Sequence, residues 1–259
     1  MLSYQHAYHA GNPADIHKHM IVALILDYMV QKDKPVSYIE THAGRGLYNL
    51  QSPESVKTGE AAAGILKASD APWLNKEHPY GRVLADIKFQ YGNDFYPGSP
   101  MVAAHILRPD DRLHLCEKHP QEFAALDANF MRKKNAKTYF EDGYKQANAL
   151  CPPTPRRGMM LIDPSYEVKN EYMQAAHFIE AIHKKWPVGV IALWYPILEN
   201  TAHADMVEAL EDGSYTDAFH HQIMFTKANE NHRLKGSGMF IINAPYTLSD
   251  QLSDFTIHT

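Results

Sequence analysis

Apolar positions recur at helical spacing from Ile16 onward, and past residue 97 they gather into short runs alternating with helical stretches. The first helix starts cleanly. Asn12 stands where an N-cap is wanted, Pro13 occupies the first helical position and Asp15 lies in the first turn. Ile16, Met20, Ala23, Leu24 and then Asp27 and Tyr28 follow helical spacing until Lys32-Asp33-Lys34-Pro35 ends the helix. Residues 36–40 read as the first strand, running into the glycine-bearing turn Thr41-His42-Ala43-Gly44-Arg45-Gly46. Residues 51–97 hold helix-like pieces at 59–69 and 80–91, broken by Pro72-Trp73 and Pro79, and show no strand signal; they predict a helical insertion subdomain. In the turn Tyr96-Pro97-Gly98-Ser99-Pro100, Ser99 is placed to cap a helix over 100–107.

The alternation that follows predicts strands at 112–116, 136–140, 159–162 and 188–193. Helices are predicted at 120–132, 143–150, 170–184 and 202–211. Such a pattern belongs to an α/β fold with a mostly parallel sheet and helices on both faces. Two further strands, 221–226 and 238–243, have no helical segment between them and predict a hairpin closing one sheet edge. The whole chain, 1–259, reads as one domain with a polar, aromatic tail at 1–11.

The chemistry concentrates at strand ends, where open α/β sheets bind their ligands. Asp163-Pro164-Ser165-Tyr166 follows the apolar run 159–162. An acid, a proline and an aromatic in that place resemble the grip of amino-directed methyltransferases on a base. The amino nitrogen of adenine is a poor nucleophile because its lone pair is delocalised into the ring. Asp163 and the carbonyl of Pro164 can accept its two hydrogens, with Tyr166 as the stacking platform. An ordinary strand-end turn has the same composition. Three other strand ends add weight: Glu40-x-x-x-Gly44-x-Gly46, then Glu117, then Asp142-Gly143. The glycines allow close backbone approach to a ligand, Glu117 suits the two hydroxyls of a ribose, and Asp142 suits an adenine amino group. Their order resembles that of S-adenosylmethionine-dependent methyltransferases.

Composition changes this picture little. The net charge is -5, which argues mildly against nucleic acid. Local basic clusters do exist at Arg132-Lys133-Lys134 with Lys137, Arg156-Arg157 and Lys184-Lys185, and Arg156-Arg157 precedes the strand carrying Asp163, where a bound nucleic acid strand would pass. Cys116 and Cys151 have no metal-ligand spacing, and with no export signal they point to a reducing cytoplasm. The sixteen histidines form no zinc motif, and no apolar run is long enough to cross a bilayer.

The segment Tyr4-x-His6-x-x-His9-Ala10-Gly11-Asn12-x-x-Asp15-x-x-Lys18-His19 resembles the start of bacterial 23S ribosomal RNA adenine-N6 methyltransferases of the RlmJ type. Thr41-His42-Ala43-Gly44, Tyr96-Pro97-Gly98-Ser99-Pro100, Ile162-Asp163-Pro164 and Ala192-Leu193-Trp194-Tyr195-Pro196 carry the same resemblance. It implies a Rossmann-like class I methyltransferase with a seven-stranded sheet, holding S-adenosylmethionine through His19, His42, Gly44, Ser99, Glu117, Asp142, Gly143 and Asp163. It also implies Asp163 as the catalytic acid, with Pro164 and Tyr166 beside it, and Tyr4, His6 and Lys18 serving the reaction and the RNA. The implied partner is 23S ribosomal RNA, free or in early assembly precursors, acted on by a cytoplasmic monomer with no membrane association. Ser165 stands where the family usually has a second proline, and the chain after Tyr246 differs from the family pattern. Two other readings stay open at this point. One is a DNA adenine-N6 methyltransferase; the other is a non-catalytic S-adenosylmethionine-binding protein associated with RNA, with Ser165 as the trace of lost catalysis.

Overall fold

The structure, a computed structural model, describes residues 5–68, 71, 74–168, 170–225, 234–253 and 255. Five parallel strands form its centre: β1 (Ser37–Glu40), β4 (Arg112–Glu117), β5 (Ala136–Phe140), β6 (Gly158–Ile162) and β7 (Val190–Leu198). β8 (Phe219–Met224) and β9 (Leu234–Ile242) are antiparallel additions, giving a seven-stranded sheet in the order β5-β4-β1-β6-β7-β9-β8. β1 and β6 are buried at every position, as central strands covered on both faces must be. The chain builds outward from β1 on one side to β4 and β5, then returns to the other side as β6. Strand order therefore reverses between β1 and β6, and a crevice opens at their carboxyl ends.

Helix α1 (Pro13–Val30) is buried on nearly all sides, which explains why it is apolar around its circumference and not along a single stripe. Its start is as the sequence predicts: the Asn12 side chain accepts from the Asp15 backbone N–H at 2.8 Å. Ahead of it the tail is docked. A 3-10 turn covers His6–Tyr8, Ala7 and Ala10 are buried, and the Gly11 carbonyl accepts from Ile65 N–H at 2.9 Å. Tyr4 lies outside the described residues. The remaining helices include α2 (Pro53–Thr58), α3 (Glu60–Ala63), α4 (Pro79–Tyr91), α5 (Ser99–Ile106), α6 (Pro120–Phe130), α7 (Gly143–Leu150), α8 (Glu171–Lys185), α9 (Ala204–Glu211) and α10 (Leu248–Leu252).

Several expectations change. The stretch 51–97 is not purely helical: β3 (Phe95–Pro97) pairs antiparallel with β2 (Leu47–Asn49), tying the end of that stretch back to the segment after β1. Ser99 does not cap its helix. Gly98 takes that position, and the Ser99 hydroxyl hydrogen-bonds the Glu40 carboxyl instead. β7 runs five residues beyond 193, through Pro196, because β9 pairs with it from Ile191 to Leu198. The late hairpin begins its return strand at Leu234, with Thr226 outside the described residues. Arg156-Arg157 precedes β6 and so sits at the amino end of a parallel sheet, opposite the crevice. There Arg157 donates to the carbonyls of Met29, in the last turn of α1, and of Lys34, in the loop that follows.

Gly143 shows how tightly the crevice is built. A Cβ on this residue would collide with the carbonyl oxygen of Thr41, so the start of α7 presses directly on the end of β1. Gly143→Ala is expected to lower the thermal midpoint by several degrees, at about 2–4 °C per kcal/mol for a chain of this size. A melting curve that superposes on wild type would contradict that close approach.

Candidate active site

A cavity of about 310 Å³ opens at the carboxyl ends of the parallel strands, within the range of roughly 300–1,000 Å³ usual for small-molecule sites. His6, Lys18, His19, His42, Gly44, Ser99, Glu117, Asp142, Gly143, Asp163 and Pro164 all line it, although they come from widely separated parts of the chain. Ser165 lines it as well.

One end is built from the turns after β1, β4 and β5. Gly44 has a φ of 58°, the left-handed region that favours glycine, and a Cβ there would run into the Tyr48 hydroxyl. Its N–H donates to Glu117 Oε2 at 2.8 Å, while His119 N–H donates to Glu117 Oε1 at 2.7 Å. Burial pushes the Glu117 carboxyl up, and these two backbone donors oppose it. Each oxygen keeps a further lone pair, the arrangement needed to accept two neighbouring hydroxyls. Asp142 caps α7 by accepting from Lys145 N–H at 3.1 Å, and it pairs with Lys118 Nζ at 3.0 Å. Burial works against its charge, but those donors hold the carboxyl below its ordinary value. His42 is pushed down to about 4, chiefly by burial, so a neutral ring faces this end, with Nδ1 2.8 Å from the Thr41 hydroxyl. The Tyr144 hydroxyl and Glu171 Oε2, both from cavity-lining residues, are buried without a hydrogen-bond partner. Such orphaned atoms fit a wall made for a polar ligand.

The other end holds a charged cluster around α1. Lys18 Nζ lies 2.6 Å from Asp163 Oδ2 and 3.1 Å from Asp15 Oδ1, and all three side chains are largely buried. Asp15 Oδ2 takes hydrogen bonds from His6 Nε2 and Gly11 N–H, each at 2.9 Å. Burial opposes charge on Lys18, yet Asp163 and Asp15 together hold its ammonium above the ordinary lysine value. Burial would likewise raise Asp15, but His6, Lys18 and His19 hold it well below the carboxylate range. His19 is pushed down to about 3, first by burial, with Lys18 and His6 adding to it against Asp15. It is therefore neutral, and its Nδ1 lies 3.0 Å from the Tyr96 hydroxyl.

Tyr166 is the nominated residue that the structure turns away. Its φ of 55° is unusual for a side chain of this size. The ring stacks on Tyr172 with centroids 4.2 Å apart, and the hydroxyl donates to the Trp194 carbonyl at 2.7 Å. It does not reach the cavity wall, whereas Trp194 does. Asp15, Tyr144, Glu171 and Trp194 are among the cavity-lining residues that sequence reasoning missed. Asp15 was legible in its spacing, since positions i, i+3 and i+4 put Asp15, Lys18 and His19 on one helix face.

A sheet order reversing beside β1, with a cavity formed by the turn after β1, acids after β4 and β5, and an acid ending β6, defines a class I S-adenosylmethionine-dependent methyltransferase. The family model described as Ribosomal RNA large subunit methyltransferase D, RlmJ, matches residues 33–258, and the chain belongs to that family. Ribosomal RNA large subunit methyltransferase J of Escherichia coli (strain K12) is 35% identical over 255 residues, covering 98% of this chain and 91% of that protein. The protein of the same name from Haemophilus influenzae is 37% identical over 258 residues, with coverage of 98% and 91%. The crystal structure of protein LPL1258 from Legionella pneumophila superposes with a TM-score of 0.84 at 34% identity, covering 95% of this chain and 90% of that one. S-adenosylmethionine is accordingly the cofactor, and the glycine turn, paired acids and orphaned polar atoms fit it.

Glu40, behind the cavity, carries a pH consequence. Burial pushes its carboxyl up to about 8, against hydrogen bonds from Ser99 and Tyr38. The folded protein therefore holds this proton more tightly than the unfolded chain. The stability it brings is complete below about 4.5 and is lost as pH rises through about 8. Glu40→Gln cannot ionise, so its melting temperature should fall less over this window and exceed that of wild type by a few degrees at about pH 9. Parallel pH profiles for the two proteins would contradict the assignment.

Proposed function

We propose that the protein transfers a methyl group from S-adenosylmethionine to the N6 of a specific adenine in 23S ribosomal RNA. The observation that carries this reading is the Asp163 carboxylate, held on the cavity wall by Lys18 at 2.6 Å and followed directly by the buried Pro164. Membership of the RlmJ family supports the choice of substrate.

When bound, S-adenosylmethionine supplies a methyl group on a sulfonium, the electrophile. What the protein supplies is position and hydrogen-bond acceptors. Lys18 engages Asp163 Oδ2, leaving Oδ1 to accept one hydrogen of the adenine amino group. The Pro164 carbonyl accepts the other. Accepting both draws the nitrogen lone pair out of the ring and towards the electrophile. The target base has to leave its stack, at a cost of roughly a few kcal/mol, which contacts in the cavity offset. Gly44, Glu117, Asp142 and Gly143, with His42, His19 and Ser99, hold the cofactor. His6 and Lys18 face the acceptor end, and we assign Tyr4, with the tail 1–11, to the RNA. In this reading the chain is one domain, 1–259, in which residues 51–97 form an insertion subdomain. The protein works as a monomer in the cytoplasm, on 23S RNA that is free or in early assembly precursors.

Incubation with labelled S-adenosylmethionine and unmodified 23S RNA should place label in N6-methyladenine. Asp163→Ala is expected to reduce that turnover at least about 100-fold while isothermal titration still detects cofactor binding. Undiminished turnover by this variant would refute the assignment. Tyr4→Ala should lower activity on RNA with little change in cofactor affinity. Wild-type rates in that variant would remove the tail from the substrate site.

A further inference from the structure

Ser165 lines the cavity between Pro164 and Tyr166, at the position where the family pattern has a second proline. A proline there would stiffen the loop by fixing φ. Here the stiffness comes from contacts on either side. Ahead of the serine, Lys18 holds Asp163 at 2.6 Å. Beyond it, the Tyr166 hydroxyl donates to the Trp194 carbonyl at 2.7 Å, and the Tyr166 ring stacks on Tyr172 with centroids 4.2 Å apart. The Val168 carbonyl then accepts from Glu171 N–H at 2.9 Å. The loop is fastened without the second proline, which leaves position 165 open to a side chain with chemistry of its own.

Ser165 is half-buried, and among the described residues nothing takes its hydroxyl hydrogen. Geometry decides which of its two donors can face a base. The Pro164–Ser165 peptide is trans, the cis bonds among the described residues being Cys151-Pro152 and Thr154-Pro155. In a trans peptide the carbonyl and the N–H that follows it point in opposite directions. When the Pro164 carbonyl faces the adenine amino group, the Ser165 N–H faces away from it. The hydroxyl is then the donor that remains beside that carbonyl on the cavity wall. Adenine has a ring nitrogen with a free lone pair on each side of its amino group, N1 and N7. Two acceptors recognise only the amino group, which cytosine and guanine also carry. A donor beside them reaches the ring itself and fixes where it lies.

We propose that Ser165 is a specificity-determining residue, whose hydroxyl donates to a ring nitrogen of the acceptor adenine next to the amino group held by Asp163 and the Pro164 carbonyl. The inference rests on the reading of the site as an adenine-N6 methyltransferase. It makes the serine a working part of the loop and not the trace of lost catalysis. A third hydrogen bond stops the base from tilting about the two that grip its amino group, so the nitrogen lone pair stays aimed at the electrophile.

The test uses the 23S RNA fragment that wild type methylates, synthesised with adenine, 1-deazaadenine or 7-deazaadenine at the methylated position. Each deaza base replaces one ring nitrogen by C–H and keeps the amino group. Wild type, Ser165→Ala and Ser165→Pro are compared for kcat/KM on every RNA and for cofactor affinity. On adenine, S165A and S165P should each lose about threefold to tenfold, the worth of one neutral hydrogen bond, with cofactor affinity unchanged. On one of the deaza RNAs the same variants should match wild type within about twofold, because the partner of the hydroxyl is already gone. Comparing the enzymes on the same RNA removes the effect of the deaza ring on the reactivity of the amino group. Either variant within about twofold of wild type on adenine, or faster than it, would overturn the proposal. So would a loss of equal size on every RNA, which would move the partner of the hydroxyl off the base, or a matching loss of cofactor affinity. A wild-type protein that makes no N6-methyladenine in 23S RNA sinks the underlying reading instead, whatever the variants do.

Discussion

A buried ammonium shared by two carboxylates holds this molecule's working end together. Lys18 lies 2.6 Å from Asp163 and 3.1 Å from Asp15, so one side chain of α1 joins the loop after β6 to the docked tail. Removing a partner from such a cluster would leave a charge stranded in the core, at about 3–5 kcal/mol, which is why the three must be present together. The same contacts that stabilise the fold therefore aim Asp163 into the cavity. Asp15 extends the constraint to His6 and to the Gly11 backbone, so the segment leading into α1 is fastened to the Asp163 carboxylate through a single lysine.

Beside that charged centre the protein keeps three buried titratable groups neutral. His19 and His42 are pushed far below the histidine range by burial, and Glu40 is pushed up to about 8. A cationic methyl donor and an acceptor that must present a lone pair both benefit from a wall with few mobile charges. Acidic side chains on the cavity wall stand at its two ends, Glu117 and Asp142 at one, Asp15 and Asp163 at the other.

Much of this was legible from residue order, because the relevant physics is local. Asn12-Pro13-x-Asp15 announces a capped helix, and the structure starts α1 there. The predicted strand at 136–140 and helix at 143–150 match β5 and α7, since the strand-favouring Thr138, Tyr139 and Phe140 followed by an Asp cap leave little freedom. Strand-end acids could be nominated because a parallel sheet always brings its carboxyl ends to one crevice. What was not legible depends on distant partners. β2 and β3 are three residues each, too short to show alternation, and one ends in Pro97. Ser99 abandons its cap for Glu40, a residue 59 positions away. Tyr166 swings to a stacking partner on α8, and the buried hydrogen bond between His17 and Ser237 joins residues 220 positions apart in the chain. Local pattern also misjudged Arg156-Arg157, because proximity in sequence to Asp163 is not proximity in space when a whole strand intervenes.

The most direct measurement is a crystal structure of the protein with S-adenosylhomocysteine and an RNA fragment containing the modified adenine. The account predicts the flipped base in the cavity with its amino nitrogen about 2.6–3.2 Å from both Asp163 Oδ1 and the Pro164 carbonyl, and with Lys18 still on Oδ2. An adenine bound elsewhere, or one whose amino group lies beyond hydrogen-bond reach of Asp163, would contradict it.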